Sequence, residues 1–376
     1  MSKKKRVNPI LSTLLLKPLS LAYGAVTGTR NKMFDFGILA QREFDIPVLV
    51  VGNIAAGGTG KTPHTEYLVD LLRYRFNIAV LSRGYNRRTS GFILATPKST
   101  AKDIGDEPYQ IYRKFGKDVT VAVCEDRCKG IDELRAIDPS INLVILDDAF
   151  QHRYVKPTVA IVLTEHSRPV FSDSVLPAGR LRESSGSLKR ADIVIVTKCP
   201  PEMRPMDYRL FVKHLNMFPW QKLYFTKYAY GSPVAVFPDK AGTAPFFNAM
   251  TESDHILAMA GVANPAPFIK YLKGYRAKVR ALIFPDHHNF DRQDIRRLLE
   301  KCKSMPDPER TFIITTEKDA MRLRSLAFVP RSLAQRLFYI PVKVEFIPNP
   351  TSENAAGDED FEETLMSALT KPKHST

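Results

Sequence analysis

The residues best suited to chemistry lie near the front of the chain, in the run VGNIAAGGTGKTP from Val51 to Pro63. Gly57, Gly58 and Gly60 let successive backbone N–H groups turn toward phosphate oxygens, and a helix opening at Lys61 adds the positive end of its dipole. Ala55, Ala56, Gly57, Gly58, Thr59, Gly60, Lys61 and Thr62 therefore form a candidate phosphate cradle. In it Lys61 would neutralise the outer phosphates and the Thr62 hydroxyl would ligate Mg²⁺. The strict pattern Gly-x-x-x-x-Gly-Lys-Ser/Thr asks for glycine at position 55, where this chain has alanine. A second element, INLVILDD, is an apolar run ending in Asp147 and Asp148. A carboxylate at the carboxyl end of such a strand holds Mg²⁺ or its water. Either aspartate alone could instead cap a helix, and the sequence leaves open which one would meet the metal. In Thr197-Lys198-Cys199-Pro200, a guanine reader would place aspartate two residues after the lysine, but position 200 is proline, so ATP is the expected nucleotide.

These groups need a scaffold. Pro47 to Val51 reads as a buried strand, and Leu68, Leu71, Leu72 and Phe76 mark one face of the helix after the loop. Further apolar runs at Ile78–Leu81, Val119–Val123, Ile141–Leu146, Val159–Leu163 and Ile193–Thr197 are mostly separated by helix-length segments. The pattern predicts an α/β fold: a P-loop, doubly wound, mostly parallel sheet. Strand candidates at Ile256–Ala260, Ala281–Phe284 and Phe312–Thr315 predict a second, smaller α/β domain over Asp254–Pro330, flanked by Leu223–Tyr230 and Leu337–Phe346 as a paired linker. The expected division is 1–30 as an N-terminal membrane-associated helix, 31–222 as the P-loop domain, 223–346 as linker strands and second domain, and 347–376 as an acidic tail. In that tail Phe361, Leu365 and Leu369 could form a short amphipathic helix.

Composition narrows the possibilities. With 44% hydrophobic and 25% charged residues in 376, the chain is neither disordered nor collagen-like. It has no run of about 20 uninterrupted apolar residues, which excludes a polytopic membrane protein. Four scattered cysteines (Cys124, Cys128, Cys199, Cys302) give no disulfide framework and fit a reducing cytosol. A net charge of +15 calls for an anionic partner without naming it. Lys3, Lys4, Lys5, Arg6 and Lys17 surround Leu11, Leu14, Leu15, Leu19 and Leu21. Such a segment suits an interfacial anchor, each basic residue contributing about 1 kcal/mol at an anionic bilayer. It suits equally an amphipathic helix packed on the domain.

Taken in order, VGNIAAGGTGKTP, LSRGY, GDEP, LDDAFQH, LPAGRLRE, GVANP, FPDHHNF and TTEKDA resemble the tetraacyldisaccharide 4'-kinase family, the lipid A 4'-kinases of Gram-negative bacteria, over about Leu14 to Leu323. The resemblance implies transfer of the γ-phosphoryl of ATP, with Mg²⁺, to the 4'-hydroxyl of a lipid A disaccharide 1-phosphate precursor. It also implies work at the cytoplasmic face of the inner membrane, peripheral or monotopic, on an anionic surface; a monomer with no nucleic-acid partner is expected. It assigns Lys61 and Thr62 to phosphate and metal, and Asp147 and Asp148 as the acidic pair. Asp106 of GDEP becomes the catalytic carboxylate, with Glu107 beside it and His287 of DHH as its partner. Arg182 and Glu183 of GRLRE match further active-site positions, and Arg127 is a candidate for the substrate phosphate. Asn86 and Ala149 stand where the family usually has glycine. The chemistry is coherent: a sugar hydroxyl needs a base as the bond forms, and a free aspartate, with a pKa of about 4, is a weak one unless a neighbour shares the proton. Asp106 and His287 in different domains would make closure necessary for turnover. GDEP can also be simple turn and helix-cap chemistry, and the histidines a surface or capping pair. Two other functions remain. One is a soluble P-loop ATPase switch that does not act on lipid, although the loop lacks the early lysine such proteins carry. The other is a nucleic-acid binder, for which no motif is present.

Overall fold

The computed structural model describes residues 9–286, 288–326, 328–348 and 357–371. Lys3, Lys4, Lys5, Arg6 and His287 lie outside these residues, as do the side chains of Leu11, Leu14 and Leu15.

A long helix α1 (Pro9–Asp35) leads the chain. It runs through Lys17 and Pro18, and no helix among the described residues is long and apolar enough to cross a membrane. Then come β1 (Val48–Asn53), α2 (Lys61–Leu72), β2 (Ile78–Ser82), β3 (Ile93–Leu94), α3 (Ala101–Ile104) and α4 (Asp106–Phe115). The first half continues with β4 (Thr120–Val123), α5 (Arg127–Ile137), β5 (Leu143–Asp147), β6 (Val159–Glu165), β7 (Ile193–Thr197), α6 (Pro205–Leu215) and β8 (Lys222–Tyr230). The second half is built from β9 (Val234–Ala235), β10 (His255–Ala260), α7 (Ala266–Leu272), β11 (Lys278–Ile283), α8 (Arg292–Lys303), β12 (Thr311–Thr316) and α9 (Glu317–Arg324). It ends in α10 (Arg331–Ala334), β13 (Leu337–Ile340), β14 (Val342–Ile347) and α11 (Gly357–Thr370).

A nine-stranded sheet runs in the order β14-β8-β7-β6-β1-β5-β2-β4-β3, parallel from β8 to β4 and antiparallel at both edges. Its central strands are continuous apolar runs because helices or ordered loops cover both faces. The register decides where the chemistry falls: Val51 of β1 lies opposite Asp147 of β5, so the glycine-rich loop and the acidic pair leave the sheet at the same carboxyl edge. A five-stranded sheet, β11-β10-β12-β13-β9, forms the smaller layer, and one apolar core continues between the two sheets.

The run LFYIPVKVEF, expected as one half of a linker, divides between the sheets. Leu337–Ile340 pairs with β12, while Val342–Ile347 pairs antiparallel with β8 from Val342↔Tyr230 to Ile347↔Phe225. Pro341 has no N–H to donate, and the break falls on it. In the acidic tail, Phe361, Leu365 and Leu369 of α11 are fully buried. The Phe361 ring lies 4.4 Å from that of Phe346 and 5.2 Å from that of Tyr224, so the helix closes the outer edge of the large sheet. Replacing Phe361 by alanine should therefore cost about 3–5 kcal/mol, the usual loss for a buried phenylalanine. Chemical denaturation followed by far-UV circular dichroism would show a lower midpoint, and an unchanged midpoint would contradict this packing.

Candidate active site

The glycine-rich loop joins β1 to α2 and is fixed from several sides. Asn53 Nδ2 donates to Thr59 Oγ1 at 2.6 Å, and Thr197 Oγ1 at the end of β7 donates to the Thr59 carbonyl at 2.7 Å. The Lys198 ammonium donates to the Gly58 carbonyl and lies 3.4 Å from Glu165. Left-handed backbone occurs at Gly57 (φ 116°) and Gly60 (φ 95°) and not at Ala55, so alanine at 55 adds no backbone strain. Gly60 is doubly constrained, since a side chain there would also collide with the Tyr228 hydroxyl. The Ala56 amide is already used, donating to the Arg180 carbonyl at 2.6 Å, and the Thr59 amide donates to the Gly57 carbonyl at 3.0 Å, so the glycine amides of the loop form the open part of the cradle. Buried His64 sits between the Gly60 carbonyl at 2.8 Å and Thr226 Oγ1 at 3.0 Å. Burial pushes its imidazole down to about 4, so it anchors the helix start as a neutral ring.

At the end of β5, Asp147 is buried and Asp148 half-buried. Asp147 accepts hydrogen bonds from Thr65 Oγ1 at 3.0 Å and Ser82 Oγ at 3.4 Å. Burial first, then the negative charges of Glu107 and Asp148, lift its carboxyl to about 7. Asp148 takes the strained left-handed conformation (φ 48°) and pairs with Lys61 at 3.5 Å and Arg182 at 3.1 Å.

Asp106 and Glu107 open α4, behind Gly105. Asp106 Oδ2 accepts from Arg322 Nε at 2.8 Å, and Glu107 pairs with Lys318 at 3.1 Å. Both cations belong to α9 in the second layer. Arg322 is held in turn by Asp319 at 3.0 Å and the Gly261 carbonyl at 3.1 Å. A side chain at Gly261 would press on Asp319 and the Pro285 carbonyl, so the GVANP turn, the loop carrying DHH and the TTEKDA helix meet at one point. His288 of that loop stacks on Phe284 and bonds the Asp294 carboxylate at 2.6 Å, while Asp291 caps the helix α8. Lys114, near the end of α4, bridges Glu66 of α2 at 2.6 Å and Glu317 of α9 at 2.7 Å, locking the three helices together.

These elements enclose a cavity of about 550 Å³. Asp106, Glu107, Asp147, Asp148, Arg127 and Arg182 all line it. Tyr23, Thr27, Arg30 and Asn31 of α1 form another wall. Arg127 is nearly buried, bonds the carbonyls of Cys124 (3.2 Å) and Glu125 (2.8 Å), and keeps Nε without a partner. Its neighbour His152 is pushed down to about 4, by burial and then by Arg127. Glu183 lines the cavity too, but its carboxylate is engaged by Arg190 and by Asn31 Nδ2 at 2.9 Å, which ties α1 to the loop before β7. The geometry thus offers a phosphate cradle, an acidic pair with hydroxyls nearby, and a separate carboxylate steered by an arginine.

Sequence reading missed several of these parts. Arg322 and Lys318 lay within or just past a quoted word, TTEKDA, without a role, and Lys198 served only to argue against guanine. His64 and Lys114 carried no motif signal.

The family profile described as Tetraacyldisaccharide-1-P 4'-kinase matches residues 12–358. The chain is 48% identical over 341 residues to the tetraacyldisaccharide 4'-kinase of Bacteroides thetaiotaomicron, covering 89% of each protein. It is 44% identical over 340 residues to that of Porphyromonas gingivalis, covering 88% of this chain and 92% of the relative. Among solved structures it is similar to the "apo" form of LpxK from Aquifex aeolicus in complex with ATP. That match has 26% identity and a TM-score of 0.71, over 96% of this chain and 99% of the other.

The raised Asp147 carboxyl has a consequence for stability. A folded-state value of about 7 against an ordinary 3.8 means that the folded chain holds a proton the unfolded chain has released. Its contribution to stability therefore falls as pH rises from about 4 to about 7. Asp147→Asn, which removes that titration, should raise the melting temperature of the ligand-free protein distinctly more at pH 8 than at pH 5, where only the first part of the loss has occurred. A thermal shift of equal size at both values would contradict the assignment.

Proposed function

The chain belongs to the tetraacyldisaccharide-1-P 4'-kinase family, and we propose that Asp106 is the general base in its direct, in-line phosphoryl transfer. The activity is that of a tetraacyldisaccharide 4'-kinase in lipid A synthesis. The γ-phosphoryl of ATP goes to the 4'-hydroxyl of the disaccharide 1-phosphate. The observation that carries the reading is the single cavity lined by Asp106, the Asp147–Asp148 pair, Arg127 and Arg182, at the sheet edge where the glycine-rich loop emerges.

In this mechanism the glycine amides of the loop and the Lys61 ammonium hold the triphosphate, and Arg182 adds positive charge beside Asp148. Asp106 accepts the proton of the acceptor hydroxyl as the new P–O bond forms, and the bond to ADP breaks on the opposite side. Arg322 fixes the Asp106 carboxylate through Oδ2 at 2.8 Å, which orients it at the cavity wall. His287, outside the described residues, is assigned to share the developing proton, and Arg127 to meet a substrate phosphate. Thr62, Asp147 and Asp148 would supply hydroxyl and carboxylate oxygens to Mg²⁺, and the burial and repulsion that lift Asp147 are what a divalent cation would offset. Bound there, Mg²⁺ would neutralise charge on the phosphoryl being transferred.

The acceptor is a lipid, which gives α1 its role. Leu19, Leu21 and Val26 are exposed at 57%, 77% and 70%, while the same helix forms a wall of the cavity. This supports docking at the anionic cytoplasmic face of the inner membrane of a Gram-negative bacterium.

Purified protein incubated with labelled ATP, Mg²⁺ and a tetraacyl disaccharide 1-phosphate in mixed micelles should transfer label to the lipid. Asp106→Ala should lower kcat by about 10²–10⁴, the usual contribution of a general base, with little change in the KM for ATP. Retention of wild-type kcat would remove Asp106 from this role. Absence of lipid labelling by the wild type would sink the reading as a whole.

A further inference from the structure

A second apolar surface lies outside the cavity and outside α1. Helix α6 buries Tyr208, Phe211 and Leu215 against the large sheet, which is the whole of its inward stripe. Its solvent side mixes apolar side chains with the exposed Arg209, Lys213 and His214. Met206, Leu210 and Val212 are 71%, 44% and 49% exposed, and the following turn adds Phe218 at 43% and Trp220 at 64%.

The turn is built to hold those rings still. Phe218 and Trp220 stack with centroids 4.5 Å apart and planes 9° from parallel. Gln221, buried beneath them, closes the turn through its backbone N–H to the Phe218 carbonyl at 3.0 Å and accepts the Phe218 N–H on its side chain at 2.9 Å. Its side-chain amide nitrogen, Nε2, donates to the carbonyls of Leu188 at 2.8 Å and Ala191 at 2.5 Å. A rigid, exposed aromatic pair is a poor arrangement for contact with water alone and a good one for the headgroup level of a bilayer, where Trp is favoured.

Charge selects the same occupant. From Arg204 to Lys222 the chain has four basic residues (Arg204, Arg209, Lys213, Lys222), all exposed, and one acid, Asp207, which is paired to Arg204 at 3.1 Å. The surface also continues that of α1. Asp35 at the end of α1 pairs with Lys189 at 3.4 Å, next to the Leu188 carbonyl that holds Gln221. Ser20 of α1 accepts from the Ala178 amide at 2.9 Å. The 170–190 segment thus touches both α1 and α6.

We propose that the outward face of α6 and the Phe218–Trp220 turn form a second bilayer-contact surface, which seats in the interface of an anionic phospholipid membrane beside α1. The inference rests on the membrane reading of α1 and extends it: the protein lies on the bilayer by a broad face, and α1 is one side of that face.

Trp220 is the single tryptophan of the chain, so its fluorescence reports on this turn alone. The full-length protein is mixed with vesicles of phosphatidylglycerol and phosphatidylethanolamine, with or without brominated acyl chains, and bound protein is measured by co-sedimentation in parallel. The expected result is co-sedimentation, a blue shift of Trp220 emission and strong quenching by the brominated lipid. The double substitution Met206→Glu, Leu210→Glu should weaken partitioning about tenfold or more, while kcat with substrate in detergent micelles stays at the wild-type level. Co-sedimentation without any shift or quenching would overturn this proposal and leave the α1 reading standing. No co-sedimentation would overturn both. A concentration-dependent dimer in sedimentation velocity that the double substitution abolishes, with Trp220 unquenched by lipid, would assign the face to a second copy of the chain instead.

Discussion

Asp106, Glu107, Asp147 and Asp148 are four of the six carboxylates that line one cavity, and like charges at that density must be offset if the fold is to hold them. Three of them are met by cations from distant parts of the chain: Asp148 by Lys61 and Arg182, Asp106 by Arg322, and Glu107 by Lys318. Asp147 receives hydroxyl donors instead, and its lifted carboxyl records the remaining imbalance. Much of the architecture follows from this arrangement. The parallel register of β1 and β5 brings the lysine of the loop to the acids. The smaller layer supplies α9, whose two cations hold the start of α4.

This makes the second layer part of the site's electrostatics and not only a lid. Arg322 is itself gripped by Asp319 and the Gly261 carbonyl, and Asp319 accepts from the Gly261 amide at 2.8 Å. The GVANP turn and the TTEKDA helix are therefore two halves of a mount for one guanidinium. Buried groups that hold their partners through several hydrogen bonds specify geometry more than they add stability.

How much of this could be read from the sequence depended on the range of the interaction. The glycine-rich loop, its strand and helix, and the acid-tipped β5 are local patterns, and their period and turn chemistry point to them directly. The positions where the family wording varies also make local sense. Asn86 takes φ 60°, a conformation asparagine tolerates better than most residues, and Ala149 follows the residue that bears the left-handed turn without bearing it itself. The pairing of Asp106 with Arg322 spans 216 positions and has no period, and the Lys198 contact to the loop spans 140. No spacing rule reaches that far. The run Leu337–Phe346 reads as one half of a paired linker, and only the missing N–H of Pro341 marks where it changes sheets.

That change of sheets has a mechanical consequence. The chain leaves the large sheet after β8 and returns to it at β14, and the two crossings lie side by side, with the Gly231 amide bonded to the Pro341 carbonyl at 2.9 Å. A body attached by one strand can swivel freely, whereas one attached by two neighbouring strands is restrained to folding about the line they define. The smaller sheet is carried on two adjacent connections, so the place of the α9 guanidinium beside α4 is set by both crossings together and not by either alone.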